Sequence, residues 1–321
     1  MNAGALGGRR ILVTGGSGFI GRQVVAALMG AGASVRVVDL TPHPDPSVEL
    51  VQGDIVDEGV LERAFAPGFD SVVHLAAVTS VLRSLEYPEL TYRTNVAGTA
   101  GVLEMARKAG VKALAFASTN AVTGPMRAPA IVETATLAPL TPYGATKAAA
   151  EMLMSAYTAS YGVRCTSLRL TNVYGPGMQA KDSIVARLMR AIRLGGTFEI
   201  YGDGRQVRDY VHAADVVEAI RLAICDERWH GPMVIGTGTS LSVLEVLEQV
   251  RRVTGAELEV RHGPAKTGEM PAVIVDPSKA KSAGWSPRYT FAAGLQGVWE
   301  EWSQADAEAM TGPVSVPGVG Q

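Results

Sequence analysis

The sequence predicts an α/β fold, in which a doubly wound parallel sheet is followed by a smaller α/β lobe. Between residues 10 and 170, short apolar runs rich in β-branched residues alternate with helical stretches. The runs are apolar almost throughout, as strands buried on both faces of a parallel sheet must be. This alternation implies right-handed βαβ units. The predicted strands are RILVTG, SVRVVDL, VELVQGD, DSVVHLAA, KALAFAS and VRCTSLRL.

The pattern loosens after residue 170, where Gly and Pro become frequent. We expect residues 1–170 to form the first domain and residues 171–310 to form the smaller lobe. The two should be intertwined, because no flexible linker separates them. We expect residues 311–321, TGPVSVPGVGQ, to be a frayed tail.

Composition and charge indicate a globular protein and argue against several classes of partner. The 321-residue chain carries a net charge of −2 with 47% hydrophobic residues, which suits a globular protein. Its basic residues are dispersed, so we predict no nucleic-acid partner. The two cysteines, Cys165 and Cys225, lack C-x-x-C spacing, which argues against disulfides and a metal site and fits a reducing cytosol. With no signal peptide or membrane-length apolar run, we expect a cytoplasmic protein.

A glycine-rich turn follows the first predicted strand. The stretch TGGSGFIG places glycines at 15, 18 and 21 between that strand and a helix that opens with Phe19 and Ile20. Glycines let the backbone approach a pyrophosphate at the helix N-terminus, as in the dinucleotide site of a Rossmann sheet. We therefore predict that Gly15, Gly18, Phe19, Ile20 and Gly21 bind a dinucleotide.

Acidic residues follow the second and third predicted strands. Asp39 ends the second strand, where a carboxylate accepts both ribose hydroxyls of NAD and repels the 2′-phosphate of NADP. Arg22 and Arg36 are nearby cations that would soften this preference. Asp54 and Ile55 follow the third strand, where an adenine edge would lie. The alternative for these two residues is an ordinary loop that caps a helix.

The stretch YGATK places Tyr143 and Lys147 one helical turn apart. A phenol has a pKa near 10, which makes it a poor base at neutral pH. A positive charge about 4 Å away is worth about 4 kcal/mol at an effective dielectric of about 20, or roughly three pKa units. We therefore predict that Lys147, with the nicotinamide cation, lowers the pKa of Tyr143 so that it acts as a base. The alternative is a surface pair.

Many motifs occur together in one order: TGGSGFIG, GDIVD, HLAA, NVAGT, AST, YGATK, NVYGPG, YGDGRQVRDYVHAAD, IGTG and GEMPAVIVDPSKA. In this arrangement the chain resembles the extended short-chain dehydrogenase/reductases over about residues 10–302. Within them it resembles the nucleotide-sugar epimerase/dehydratase family. The resemblance implies bound NAD and, as substrate, a nucleoside-diphosphate sugar, which we expect to be a UDP-sugar.

The resemblance also assigns roles near the cofactor. Tyr143 would be the base, and Lys147 would also hold the nicotinamide ribose. Thr119 would bond to the reacting oxygen, with Ser118 as the substitute, although Thr119 also suits a strand-end cap. The remaining cofactor contacts implied by the family are Ala76, Ala77, Asn95 and Ser118.

The second lobe would hold the substrate. Matching positions are Asn172 and Arg208 for the diphosphate, with Lys266 and Glu269 nearby. The family usually has Arg at the position of Lys266 and Asp at that of Glu269, which leaves the base and ribose contacts open. Two cations that converge on a diphosphate make chemical sense in a chain of net charge −2.

Several polar residues also have a structural interpretation. Arg208 would form an ion pair with Asp209 or Asp215 instead of binding a ligand. His212, in the same motif, and His74, which ends a predicted buried strand, are expected to be structural histidines whose ring nitrogens find partners inside the fold.

The resemblance bears on the reaction as well. The family's dehydratases and decarboxylases need an acid immediately after the Thr, whereas this chain has Asn120 and Ala121 there. C4 epimerisation of a neutral hexose through a 4-keto sugar is then implied. One alternative is an NAD(P)H-dependent reductase of a nucleoside-diphosphate 4-keto sugar. Another is a non-catalytic dinucleotide sensor, which would usually have lost Tyr143 or Lys147.

Two helical stretches, at about 87–109 and 142–161, have apolar and Ala-rich faces. In the family, their equivalents pair across a two-fold axis as a four-helix interface. We therefore expect a homodimer. The alternative is that such faces pack inside a monomer.

Overall fold

The computed structural model describes residues 6–264 and 272–304. Its strands are β1 Arg10–Thr14, β2 Ser34–Asp39, β3 Glu49–Gln52, β4 Ser71–His74, β5 Ala113–Thr119, β6 Arg164–Leu170, β7 Asn172–Tyr174, β8 Phe198–Tyr201, β9 Val207–His212, β10 Gly231–Ile235, β11 Ser240–Ser242 and β12 Val260–Gly263. Its α-helices are α1 Phe19–Gly30, α2 Glu58–Phe65, α3 Val81–Glu86, α4 Pro88–Tyr92, α5 Thr99–Lys108, α6 Pro142–Tyr161, α7 Ile184–Leu194, α8 Ala213–Cys225, α9 Val243–Thr254, α10 Ser278–Ser282 and α11 Phe291–Gln304. None of these helices is long and apolar enough to cross a membrane.

The main sheet has seven parallel strands in the order β10-β6-β5-β4-β1-β2-β3. This confirms the predicted doubly wound parallel Rossmann sheet, and all six predicted strands are present. The order reverses between β1 and β4, which opens a crevice at the carboxyl ends of these strands, where ligands bind in such sheets. The glycine turn after β1 and the loop after β4 therefore meet at the crevice.

Helices cover both faces of the main sheet. On one face, α1 packs with α8 around buried residues that include Val25 and Ile220. On the other face, α2, α5 and α6 bury residues that include Leu61, Val102 and Met154. Burial on both faces explains why the strands are apolar almost throughout.

Part of the second half of the chain belongs to the main sheet and its helical layers. Residues 213–235 form α8, which covers the main sheet, and β10, which extends it at one edge. Strand β10 was not among the predicted strands, because GPMVI is a short run inside a Gly- and Pro-rich stretch. Helix α8 and strand β10 thus return from the second half of the chain to the main sheet.

Two small sheets build the rest of the second lobe: β11-β9-β7 and β12-β8. They pack against α7, α9 and α11 around a buried cluster that includes Leu188, Val246 and Trp302. The buried carboxylate of Asp209 in β9 accepts hydrogen bonds from the Thr237 nitrogen at 2.9 Å and the Gly238 nitrogen at 2.8 Å. This carboxylate fixes the IGTG loop that follows β10.

Two glycines of α11 face different surroundings. A Cβ on Gly294 would lie 2.4 Å from the Tyr174 hydroxyl oxygen, whereas the nearest atom to a Cβ on Gly297 is 3.9 Å away, in Pro176. We expect Gly294→Ala to lower the free energy of unfolding by about 1–3 kcal/mol through overpacking. Gly297→Ala should raise it by about 0.5–1 kcal/mol through helix propensity. Urea denaturation of both variants tests this, and equal stability of the two would contradict it.

Candidate active site

The glycine turn brings backbone segments close together at the carboxyl end of β1. Gly15 has a φ of +72°, and a Cβ there would lie 2.6 Å from the backbone nitrogen of Ala76. A Cβ on Gly21 would lie 2.1 Å from the carbonyl oxygen of Gly15. Gly18 caps α1 without a side-chain hydrogen bond, and the first turn holds no acidic residue. The helix N-terminus thus suits an anionic pyrophosphate, and side chains at these glycines would fill its cradle.

The side chains of Phe19 and Ile20 pack against hydrophobic clusters and not toward the glycine turn. The Ile20 side chain packs against the cluster shared by α1 and α8. The Phe19 side chain packs against the cluster of the second lobe. A cofactor at this turn would therefore meet their backbone N–H groups.

Asp39 lies at the end of β2, beside the glycine turn. Its carboxylate accepts hydrogen bonds from the backbone nitrogens of Ser17 and Thr41, both at 3.0 Å, and from the Thr41 hydroxyl at 3.1 Å. These bonds hold a negative charge where a ribose would lie, which favours NAD over NADP.

The two cations predicted to soften this preference are engaged elsewhere. Arg36 forms an ion pair with Glu49. Arg22 donates from Nη2 to the Gly177 carbonyl oxygen at 3.1 Å. The negative charge of Asp39 is therefore not neutralised by either guanidinium.

The loop after β3 favours the structural interpretation of Asp54 and Ile55. Asp54 accepts a hydrogen bond from the Val56 nitrogen at 3.2 Å, so its carboxylate caps its own loop. Ile55 is buried in the core, and a Cβ on Gly98 would lie 2.7 Å from its Cδ1. The Ile55 side chain therefore serves packing, and contact with an adenine is left to the main chain of this loop.

Asn95 anchors the loop that follows β4. It lies in a π-helical segment, Arg93–Gly98, between α4 and α5. Its buried amide accepts from the Val78 nitrogen at 2.8 Å and donates to the Val78 oxygen at 2.9 Å and to Thr146 Oγ1 at 3.1 Å. Ala77 precedes Val78, so Asn95 joins the predicted cofactor loop of residues 76–77 to helix α6, which carries Tyr143 and Lys147.

Helix α6 begins beside the end of β5. Thr141 caps it by accepting from the Gly144 nitrogen at 3.2 Å, and a Cβ on Gly144 would lie 2.7 Å from the Ala121 carbonyl oxygen. This close approach puts Tyr143 within hydrogen-bonding reach of Thr119. Thr119 also caps the turn after β5 by accepting from the Ala121 nitrogen at 3.2 Å. Thr119 therefore caps the end of the strand, and its hydroxyl also lies beside Tyr143.

Lys147 lies one turn further along α6 and is only 2% exposed. Its Nζ donates to the Ala117 carbonyl oxygen at 2.8 Å and lies 4.6 Å from the centre of the Phe116 ring. Burial lowers the pKa of Lys147 to about 7, and the charge of Glu151 partly opposes this. The surface-pair alternative is excluded by this burial.

In the protein alone, the pKa of Tyr143 is not lowered as we predict for it with the nicotinamide cation. Burial raises the pKa of Tyr143 to about 12, and the hydrogen bond with Thr119 offsets only part of the rise. The cause is the loss of water around the phenol, which disfavours the charged phenolate.

Ser118 is not placed as predicted either. Its buried hydroxyl donates to Oε1 of Glu151, so it bonds within the fold and not at the reacting oxygen or the cofactor. Successive strand residues point to opposite faces, which sends Ser118 and Thr119 in different directions. Glu151 also forms a buried ion pair with Arg169 at 2.8 Å. Sequence reasoning missed this pair, although Glu151 follows Lys147 at helical spacing.

The predicted substrate residues fall partly within the described structure. Thr119 is aligned with Leu170 in the register of β5 and β6, and Asn172 follows two residues later. Asn172 is exposed and donates from Nδ2 to the Asp209 carbonyl oxygen at 3.1 Å. Arg208 lies on the neighbouring strand and donates from Nη1 to the Val207 carbonyl oxygen at 2.9 Å. Lys266 and Glu269 lie outside the described residues.

Both histidines have structural partners, as predicted. His74 bonds through Nδ1 to Thr14 Oγ1 at 2.6 Å and through Nε2 to Thr99 Oγ1 at 2.9 Å. His212 caps α8 by accepting from the Ala214 nitrogen at 3.3 Å. Burial lowers the pKa of His74 to about 3 and that of His212 to about 4. Both rings are therefore neutral at physiological pH.

Comparison with known proteins identifies the family. The model of the NAD dependent epimerase/dehydratase family matches residues 11–236. The chain belongs to this family. The match spans the glycine turn, Asp39, Thr119, Tyr143, Lys147 and the start of the IGTG loop, which confirms the family that the motifs predicted.

Relatives with two different reactions are similar to this chain. The UDP-glucose 4-epimerase of Thermus thermophilus, solved in complex with NAD, is 35% identical with a TM-score of 0.87, over 92% of this chain and 100% of that one. The UDP-glucose 4-epimerase of Thermotoga maritima, solved with UDP-glucose, is 34% identical with a TM-score of 0.87, over 92% of this chain and 98% of that one. A dTDP-glucose 4,6-dehydratase of Streptomyces niveus is 34% identical over 89% of this chain and 90% of its own length.

The buried, neutral His74 makes stability depend on pH. Its pKa is about 3 in the folded protein and 6.5 when unperturbed, so the unfolded chain takes up the proton first as pH falls. The stability from this group is complete above about pH 6.5 and is lost toward pH 3, at about 1.4 kcal/mol per pH unit. We expect the free energy of unfolding to fall between pH 6.5 and pH 5 by about 2 kcal/mol less in His74→Gln than in the parent protein. Urea denaturation at the two pH values measures this.

The control for this prediction is His262→Gln. The His262 ring lies at the surface, with Nδ1 2.8 Å from the Gly202 carbonyl oxygen. This variant should lose as much stability between the two pH values as the parent protein. A His74 variant with the parent's pH dependence would show that the buried ring does not control it.

Proposed function

We propose that this protein catalyses NAD-dependent C4 epimerisation of a neutral nucleoside-diphosphate hexose, such as UDP-glucose and UDP-galactose or the corresponding N-acetylhexosamines. The observation that carries this proposal is the meeting of Tyr143 and Thr119 beside Lys147, where Thr119 is followed in the chain by two residues that are not acids. The epimerases among the relatives support it. We further propose a cytoplasmic location, because Cys165 and Cys225 are free thiols, as is usual in a reducing compartment.

The residues of the crevice would hold the cofactor. The N-terminal turn of α1 and the cradle at Gly15 and Gly21 would receive the pyrophosphate, and Asp39 would receive the adenosine ribose. When bound there, NAD would supply reversible hydride transfer with C4 of the sugar and, in its oxidised form, a positive charge.

Tyr143 and Thr119 would act on the oxygen at C4. The Thr119 hydroxyl would orient that oxygen, and Tyr143 Oη would take its proton and later return it. A phenol with a pKa of about 12 needs positive charge nearby to do this at neutral pH. Lys147 is the protein's source of such charge, which makes its protonation state part of the chemistry.

The second lobe would hold the nucleotide end of the substrate. Asn172 and Arg208 lie on adjacent strands, β7 and β9, and Asn172 follows closely after the chain leaves the catalytic edge of the main sheet. We propose that both bind the diphosphate. A sugar held only through its phosphate link can rotate and present its other face, as epimerisation requires.

A dehydratase is the main alternative, since relatives of that class are about equally similar. Elimination of water from C5–C6 requires a proton donor beside the sugar. Asn120 is buried and donates from Nδ2 to the Leu170 carbonyl oxygen at 3.3 Å, and Ala121 has no polar side chain. An amide does not supply a proton as a carboxylic acid does, so these two positions disfavour dehydration.

Incubation of purified protein with UDP-glucose, UDP-N-acetylglucosamine or dTDP-glucose, without added nicotinamide, tests the proposal. Anomeric proton NMR should show a UDP-sugar approaching equilibrium with its galacto epimer. Tyr143→Phe should lower this rate about 10²–10⁴-fold through loss of the acid–base group. NAD content, measured after heat denaturation, should stay equal in both proteins.

The other outcomes distinguish the competing reactions. Release of a 4-keto-6-deoxy sugar would establish a dehydratase. Reduction of such a keto sugar with stoichiometric NAD(P)H, without epimerisation of any UDP-sugar, would establish the reductase. Bound NAD without turnover of any of these sugars would favour a sensor.

We also propose that the protein is a homodimer. Apolar side chains are exposed on three neighbouring helices: Leu85 of α3 at 57%, Tyr92 of α4 at 59% and Met152 of α6 at 66%. Helices α3 and α4 both pack against α6, so these side chains belong to one region. Exposed apolar surface of this kind supports an interface, and the family resemblance favours a second copy of the chain as the partner.

A charge at the centre of this region should separate the subunits. Met152→Glu should convert a dimer into a monomer in analytical ultracentrifugation, because a carboxylate would be buried without a partner at the interface. Leu194→Glu is the matched control, since Leu194 is an exposed apolar residue, at 45%, on a different helix, α7. Monomeric parent protein would contradict the proposal, as would dissociation by both substitutions.

A further inference from the structure

We infer that Glu151 is a positioning residue for Lys147, and that its buried ion pair with Arg169 keeps the lysine charged and in place. This inference rests on the proposed function for the importance of Lys147 in the reaction. It adds residues that neither the motifs nor the family match assign to the site.

The geometry of the pair is highly constrained. Arg169 donates from Nε to both oxygens of Glu151, at 3.1 and 3.2 Å, and from Nη2 to Oε2 at 2.8 Å. Ser118 donates to Oε1 as well, and Arg169 Nη1 donates to the Glu133 carbonyl oxygen at 3.0 Å. The carboxylate therefore has a fixed position one helical turn from Lys147.

The pair joins the elements that carry the catalytic residues. Glu151 belongs to α6 with Tyr143 and Lys147, and Ser118 belongs to β5, next to Ala117. Ala117 accepts the hydrogen bond from the lysine, so the same short stretch of β5 contacts both Lys147 and Glu151. The arginine of the pair belongs to β6, which pairs with β5. Movement of the carboxylate would therefore disturb helix and strand together.

Stability alone does not require this arrangement. A buried ion pair pays a desolvation cost that a well-packed apolar pair of similar volume does not, so such pairs contribute little or nothing net to folding. The ion pair instead serves Lys147. An ammonium removed from water tends to lose its proton unless a negative charge lies nearby, and the Glu151 carboxylate provides that charge.

The charged groups around Lys147 differ in their effect on it. Glu151 on the same helix favours the ammonium form. Arg169, from β6, is a cation whose charge Glu151 offsets. His74, from β4, is neutral at physiological pH, since burial and the nearby Lys147 lower its pKa to about 3. Tyr143 is neutral until it gives up its proton. Glu151 is therefore the carboxylate on which the charge of this lysine depends within the described structure.

The test measures the titration of Lys147 directly. The chain has seven lysines, so ¹³Cε labelling of lysine gives a spectrum in which Lys147→Arg identifies the resonance by its disappearance. In the purified NAD-bound protein, we expect Glu151→Gln to lower the apparent pKa of Lys147 by about one pH unit. Epimerase activity should decline at correspondingly lower pH, and Glu151→Asp, which keeps the charge, should restore most of the parent pH profile.

The matched control is Glu104→Gln. Glu104 of α5 forms an ion pair with Arg107 at 2.8 Å and accepts from Tyr157 of α6 at 3.2 Å, so it resembles Glu151 in having an arginine and a hydroxyl partner. Its side chain is 36% exposed, whereas that of Glu151 is 5% exposed. Its substitution should leave the Lys147 titration unchanged.

Glu151→Gln leaves Arg169 without its anion, which endangers folding. The double variant Glu151→Gln, Arg169→Met removes both charges and keeps similar side-chain volumes. In this variant the apparent pKa of Lys147 should still be lower than in the parent protein. An unchanged Lys147 titration in the folded variants would overturn the inference. Because NMR of the lysines needs no turnover, this result is separate from the proposed reaction, which fails only if the parent protein does not epimerise a nucleotide sugar.

Discussion

The burial of the Lys147 ammonium is the constraint on which the rest of the site depends. A cation that is 2% exposed has lost most of its hydration, and the protein must replace it. The replacement comes from the Ala117 carbonyl oxygen, the Phe116 ring and, one helical turn away, the Glu151 carboxylate. These partners require α6 to lie close against β5, and the same closeness brings Tyr143 to Thr119 at the end of β5.

The order of the strands determines how the end of β5 and the start of α6 are placed relative to the cofactor crevice. Because the order reverses between β1 and β4, the glycine turn after β1 and the loop after β4 approach to backbone contact, at Gly15 and Ala76. Asn95 then ties the loop after β4 to Thr146 on α6. The hydrogen bonds of Asn95 therefore connect the loop that lies against the glycine turn to helix α6.

Patterns in short stretches of the sequence predict those features of the structure that depend on neighbouring residues. The six strands and the glycine turn follow from spacing and residue type, and the pairing of Tyr143 with Thr119 follows from the family resemblance. What escaped prediction depends on distant parts of the chain: the strand β10, the face to which Ser118 points and the pKa of Tyr143. Burial decides the last of these, and burial is a property of the assembled fold that a five-residue motif does not contain.

The choice between epimerase and dehydratase illustrates a different limit. Relatives of both classes share about one third of their residues with this chain, so overall similarity does not separate the two reactions. Both begin with oxidation at C4, for which the same tyrosine, lysine and threonine would serve in the mechanism we propose. They diverge only where a proton donor is needed for loss of water. The side chains of Asn120 and Ala121 therefore carry more information about the reaction than the rest of the fold, because they decide whether the keto sugar has an acid beside it.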